Sequence, residues 1–155
     1  MKIGSILYNF ILALWVGGIS IFTFLITPII FRSFGRDTAG EIVGKLFPYY
    51  FPYNLILSVL AFAIFLLFAG TQGRIQHKVS IALLTVALLI NLFVTFKLYP
   101  DIKGIKQQIA TFETQSDQSP IRNKFRKLHG ISAILNILLL MDGAILLILH
   151  NTAKK

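Results

Sequence analysis

Apolar residues fall into four long runs, roughly Leu7 to Phe31, Phe51 to Gly70, Val79 to Tyr99 and Gly130 to Leu149, separated by shorter polar stretches. Each run reaches the length of about 20 residues needed to cross the hydrocarbon core of a bilayer. Backbone groups in that medium find no water, so a spanning segment must be a helix or part of a closed barrel, and continuous apolar runs lack the alternation of barrel strands. The pattern predicts an all-α fold: a membrane four-helix bundle, up-down-up-down, as a single integral membrane domain over residues 1–155.

The polar stretches carry helix signals of their own. Thr38-Ala39-Gly40-Glu41 has capping-box spacing, which predicts a short interfacial helix from Thr38 to Phe47, ending near Pro48. Tyr49, Tyr50 and Tyr53 crowd the start of the second span and read as an aromatic belt at headgroup depth. After Pro100, Ile102, Ile105, Ile109 and Phe112 recur at helical spacing, extending the third helix as a kinked amphipathic segment. Thr114 to Ser119 is turn-like, and Ser119-Pro120 supplies a cap followed by proline at the first helical position. The fourth helix then starts as a basic stalk with Ile121, Phe125 and Leu128 on one face, so the amphipathic segment covers about 101–128.

Composition supports a membrane setting, because 155 residues that are 55% hydrophobic and 14% charged, with a mean hydropathy of +0.75, exceed what one soluble core can bury. The net charge of +9 raises nucleic acid as a partner. The basic residues instead flank membrane runs, with no exposed aromatic platform between them, which argues against it. Arg32, Arg36, Lys45, Lys97, Lys103, Lys106, Arg122, Lys124, Arg126 and Lys127 lie in the first and third loops, ten against five elsewhere. That bias places these loops in the cytoplasm and both termini outside, in a plasma (inner) membrane. The Arg122 to Lys127 stalk is suited to anionic lipid headgroups, each cation adding about 1 kcal/mol. A homo-oligomer stays open. Met1-Lys2 leads straight into a segment too long for a signal-peptide core, which reads as a retained first helix. Cysteine is absent, removing disulfides and thiolate chemistry.

Polar residues inside the runs are the candidates for function. Small residues permit helix contact in lipid, and Ala13, Gly17, Ser20 and Thr27 share one side of the first helix with Phe24, which is expected to face its neighbours. Ala87, Asn91 and Thr95 on the third helix, and His129, Ser132, Asn136 and Gly143 on the fourth, form comparable stripes. His129, Ser132 and Asn136 descend from the interface, and Asn91 and Thr95 are at a depth to meet them; a ligand site and ordinary interhelical hydrogen bonding both fit. Asp142 costs about 2.5–3.5 kcal/mol at the bilayer centre, against a gain of roughly 0.3–0.6 per Leu or Ile. The helix still inserts, since twelve Leu and Ile lie between Ile131 and Leu149. Asp142 is a candidate for proton or ion handling or for a packing bond, with Trp15 the nearest expected donor and Asn9 and Tyr8 above it. His77 and His150 lie at the opposite surface as a weak metal pair, and copper is disfavoured by two methionines in all. Arg32, Arg36, Asp37, Glu41 and Lys45 form a charge cluster that is either solvated or locked to the stalk.

Ile30 to Gly40, Lys45-Leu46-Phe47-Pro48-Tyr49-Tyr50-Phe51, Tyr99-Pro100 and Phe125 to Ser132 with Asn136 together resemble the transmembrane protein 205-like family over nearly the whole chain. The resemblance implies a small four-helix integral membrane protein. It points to Arg32, Arg36, Lys45, Pro48, His129, Ser132 and Asn136 as motif positions, and implies wider relatives that include copper-resistance proteins and a haem-linked protoporphyrinogen oxidase. Fold-level kinship does not transfer chemistry. No catalytic residue and no metal ligand set is assigned, and an enzyme is disfavoured. Two expectations follow. The first is a binding or transport module for a small solute, proton or lipid-like ligand, using Asn91, Thr95, His129, Ser132, Asn136, Asp142 and Trp15. The second is a haem or porphyrin redox protein using His129, with a structural or regulatory partner role as a further alternative.

Overall fold

The computed structural model describes residues 2–68, 74–112 and 119–152. They hold four helices long and apolar enough to cross a membrane: α1 (Ile3–Ser33), α2 (Arg36–Phe68), α3 (Ile75–Lys106) and α4 (Pro120–Thr152). No strand occurs among the described residues. The expected end of the second span at Gly70, most of the turn at Thr114–Ser119, and Lys154 and Lys155 lie outside them. Each helix packs on its neighbours in chain order and α4 returns to α1, which closes the up-down-up-down bundle. At 1.5 Å per residue each helix is about 45–50 Å long, more than the hydrocarbon core requires, so helical extensions project from it.

Because lipid is as apolar as a core side chain, the bundle is held by close packing rather than by burial from water. In the half nearer Ile3 and Thr152, Tyr8, Leu12, Trp15 and Ile19 interdigitate with Leu57, Ala61, Phe65, Leu84, Ala87, Leu139 and Leu146. This corrects the small-residue face expected for α1: Ala13 and Phe24 are exposed, and open space surrounds the Cβ position of Gly17. Close approach is supplied from the other side of the seam. A Cβ on Gly143 would sit 2.8 Å from Val16 Cγ2, so the absence of a side chain there lets α1 come in. Thr23 with Asn136, Val16 with Gly143 and Tyr8 with His150 step down this antiparallel seam, the α4 partners falling seven residues apart. A seven-residue repeat is what two helices in shallow-angle packing require.

Two prolines reshape their helices. Pro28 and Pro100 lack an N–H, and each ring would meet the carbonyl four residues back. Just before each, the ladder widens to π-helical turns at Ile21–Ile26 and Val94–Leu98. Thr27 N–H bonds Phe22 O and Tyr99 N–H bonds Val94 O, both reaching five residues back, so each chain continues as a helix beyond its proline. The segment Thr38 to Phe47 is helical as expected, but it runs through Pro48 and Pro52 into the second span as one helix, Arg36–Phe68, instead of ending near Pro48. A break at membrane depth would expose unbonded backbone, which lipid penalises more than a proline inside a packed helix. Below the proline, Gly40 and Gly44 leave room for Lys106, whose Nζ donates to Gly40 O at 2.5 Å.

At the Arg36 end the extensions close on one another. Ser119 caps α4, its Oγ accepting from Arg122 N–H at 3.4 Å, ahead of Pro120. Asp37, in the first turn of α2, accepts from the Thr111 hydroxyl and from Phe112 N–H. Arg122 of the stalk donates to Thr111 O and lies 5.7 Å over the Phe112 ring. Phe112 packs on Phe125, and Phe125 stacks on His129. The first loop and the stalk are therefore locked through Asp37 and Arg122, while Arg32, Arg36 and Lys45 stay exposed and Lys45 pairs with Glu41 of its own helix at 2.7 Å.

The hydrogen bond from Thr111, then that from Phe112 N–H, with Arg122 and Lys106 nearby, holds the Asp37 carboxyl below its ordinary range. A carboxylate with a depressed folded pKa adds stability that is present above its unfolded pKa and lost as pH falls through the folded one. Protection of the Phe112 amide from hydrogen exchange is thus expected to hold at neutral pH and fall away in acid below the usual carboxylate range. Asp37→Asn should remove most of it at neutral pH; an amide equally protected in the variant would show that the clasp does not depend on this carboxylate.

Candidate functional site

Polar groups gather at one level of the bundle, in the half nearer Arg36. Asn136 of α4 donates from Nδ2 to Thr23 Oγ1 of α1 at 2.7 Å. Its Oδ1 accepts from Tyr50 OH of α2 at 2.5 Å. Tyr50 thereby reaches across the bundle to the helix opposite its own. This corrects its expected place in the aromatic belt: Tyr49 is exposed and Tyr53 sends its hydroxyl to Leu14 O, but Tyr50 is 9% exposed and stacked on Phe22 at 4.0 Å. One turn on, Asn54 is buried and donates from Nδ2 to Tyr50 O at 3.0 Å.

From α3, Asn91 and Thr95 flank Val94, which shares a buried cluster with Tyr50 and Phe51. Asn54 Oδ1, Asn91 Nδ2 and Thr95 Oγ1 are fully shielded and have no hydrogen-bond partner among the described residues. Buried polar atoms are nearly always satisfied by protein, water or ligand, so three orphans at one level, two acceptors and an amide donor, make this level the candidate site. Thr23 lies within the π-helical turn of α1, Thr95 within that of α3, and Tyr50 between Pro48 and Pro52 of α2. Three of the four helices thus depart from regular α-helical hydrogen bonding at the level of the polar cluster. Below it, Phe22, Phe47, Phe51 and Tyr99 form a continuous ring stack toward the Arg36 end.

The sequence-derived set divides against this geometry. Asn136, Asn91 and Thr95 belong to the polar level. Ser132 is half-buried one turn below Asn136, and no hydrogen bond joins it to the cluster. His129 is exposed and rests on Phe125, so it stays outside the interior strip. Pro48 acts in the frame of α2, while Arg32, Arg36 and Lys45 point outward at the loop. Asp142 and Trp15 are buried in the other half, and the expected bond between them is not made: Trp15 Nε1 and Asp142 Oδ2 both lack partners among the described residues. His77 and His150 are not a pair either, because Phe65 and Tyr8 are stacked between them. Sequence reasoning missed Thr23, Asn54 and the inward turn of Tyr50. An amide in the middle of an apolar run and prolines a few residues beyond Thr23 and Thr95 were the available signals.

Comparisons with known proteins give the family of the chain. The profile of the family described as "Domain of unknown function (DUF4149)" matches residues 10–111, which include all of the polar level except Asn136. An "Uncharacterized protein" of Aquifex aeolicus (strain VF5) is similar, 31% identical over 143 residues, covering 91% of this chain and 93% of its own. No solved structure matches significantly.

Proposed function

The chain belongs to the DUF4149 family, and on that premise we propose that this four-helix membrane protein binds and passes a small uncharged solute, with Thr23, Tyr50, Asn54, Asn91, Thr95 and Asn136 as its site. The observation that carries this reading is the coincidence of three unpartnered buried polar atoms with the level at which three helices change their hydrogen bonding. Irregular backbone at membrane depth is tolerated where it lines a polar interior, and π-helical turns recur at functional sites. The site class follows from its chemistry. Amides and hydroxyls both donate and accept, and the set contains no charge to neutralise an ion, which favours a neutral hydrogen-bonding solute over an anion or organic cation.

The test uses proteoliposomes and stopped-flow light scattering under gradients of glycerol, urea and a simple amide. At least one solute is expected to equilibrate faster than through protein-free liposomes, and Asn136→Leu and Tyr50→Phe should return the rate toward that baseline. Rates at the liposome baseline for all three, or unchanged in both variants, would overturn the reading.

Orientation and lipid contact belong to the same proposal. The ten Lys and Arg of the first and third loops gather at the clasped end, which supports a cytoplasmic placement of that end. Lys124, Arg126 and Lys127 are exposed along the stalk and suit anionic headgroups, whereas Arg122 is engaged with Thr111 and Phe112. Kinship with transmembrane protein 205-like proteins fits the same four-helix plan and adds no chemistry to the site.

A further inference from the structure

The polar level leaves unused the most costly group in the bundle, Asp142. It lies in the other half, 8% exposed, on the same α4 face as the buried Leu139 and Leu146 and next to Gly143, which faces Val16 and Trp15. Among the described residues its Oδ2 has no hydrogen-bond partner and no Lys or Arg pairs with it. An ionised carboxylate without a counter-charge in such surroundings costs several kcal/mol, so the group must take up a proton or a cation. Its neighbours discriminate between these. Gly143, the next residue, packs on the Trp15 ring, and Trp15 presents an N–H, a donor with no lone pair to offer a metal ion. One carboxyl, the Tyr8 hydroxyl and an indole N–H fall well short of the about six oxygens that a hard cation gathers.

A line of polar groups leads from Asp142 to the nearer bundle end. Tyr8 is 2% exposed, its hydroxyl lacks a partner among the described residues, and it lies within electrostatic reach of Asp142. The Tyr8 ring meets His150 edge-on at 4.8 Å, and His150 Nε2 is 2.8 Å from Ser5 Oγ. His150 is half-buried in the last turn of α4. Among the described residues, α2 gives Leu57, Ala61 and Phe65 and α3 gives Leu84 and Ala87 to the buried cluster of this half, while on α3 His77 stacks on Phe65 and Lys78 beside it is exposed.

We propose that Asp142 is a proton-binding site, loaded and emptied from the Ile3 and Thr152 end of the bundle through Ser5, His150 and Tyr8. The proton comes from water at that end, adds to a carboxylate oxygen of Asp142, and leaves by the same groups; no other bond is made or broken. Trp15 closes the inner side, and the site is separate from the uncharged level around Asn136, so it stands or falls independently of the solute reading.

Infrared difference spectroscopy of the full chain in lipid nanodiscs, stepped between acid and alkaline pH, tests this. The expected result is a protonated-carboxyl carbonyl band that moves when aspartate is labelled with 13C, is absent in Asp142→Asn, and converts to carboxylate as pH rises. After a pH jump its decay should slow roughly ten-fold in Tyr8→Phe and in His150→Gln, since a positioned group speeds proton transfer by at least that factor. Should Asp142→Asn fail to fold, Asp142→Glu keeps the test decisive, because the band must then follow glutamate labelling. An aspartate band absent at every pH, a band that survives Asp142→Asn, or decay rates unchanged in both access variants would overturn the proposal.

Discussion

Trp15→Ala is expected to lower the stability of the bundle by about 3 kcal/mol, the lower part of the range for truncating a buried Trp, read as a fall in Tm in a fixed detergent or in a reversible unfolding titration. Trp15 is completely buried and belongs to a cluster drawn from all four helices, which includes Leu57, Leu84 and Leu139. In a membrane the transfer part of that cost is small, since the ring would be as comfortable among lipid tails. What remains is the cavity: the indole's packing contacts are lost and rigid helices collapse onto the space only in part. Trp15→Phe separates this from any polar role. The indole N–H has no partner among the described residues, so removing it while keeping one aromatic ring should cost only the smaller void, about 1 kcal/mol. A large loss in Trp15→Phe would show that the N–H holds a partner in the membrane.

Gly143→Leu is expected to cost about 2 kcal/mol by overpacking and, unlike the Trp15 change, to disturb the distant polar level. A Cβ there would already lie 2.8 Å from Val16 Cγ2, and a whole isobutyl group must push α1 and α4 apart. The same seam holds Thr23 against Asn136 at 2.7 Å two turns below. Stiff helices transmit the separation, so solute equilibration in proteoliposomes should fall together with Tm. Retained stability would mean that α1 can slide past residue 143, and the seam would then not set the approach of these two helices.

The apolar runs announced their helices because length and hydropathy are properties of each segment alone, and lipid leaves a long apolar segment no other regular structure. Residue-level expectations depended on which side of each helix faces inward, and there the results divide. Asn136, Asn91 and Thr95 were readable as amides and a hydroxyl at common depth. Tyr50 was not, since three tyrosines in five residues suggest an interface, and only the position of Asn136 on the opposite helix gives one of them a reason to turn in. His129 was expected inside by its spacing to Asn136, yet at this level α4 turns Phe125 and Leu128 to the buried cluster, and the His129 ring is left on the outer side against Phe125. The small-residue side of α1 failed for a related reason: Gly143 on the partner provides the close approach, so α1 could bury its largest side chains instead.

Composition and run length alone determined that this chain is four membrane-length helices with their positive charge collected beside two loops, because each of those properties is local and additive along the polypeptide. Tertiary structure alone decided that Asp37 clasps the linker before α4, that π-helical turns place Thr23 and Thr95 at the level of Tyr50, and that Asp142 is left without a partner. Each of these rests on the rotation and register of one helix against another, and in lipid those are set by side-chain packing between segments remote in sequence, which no single segment encodes.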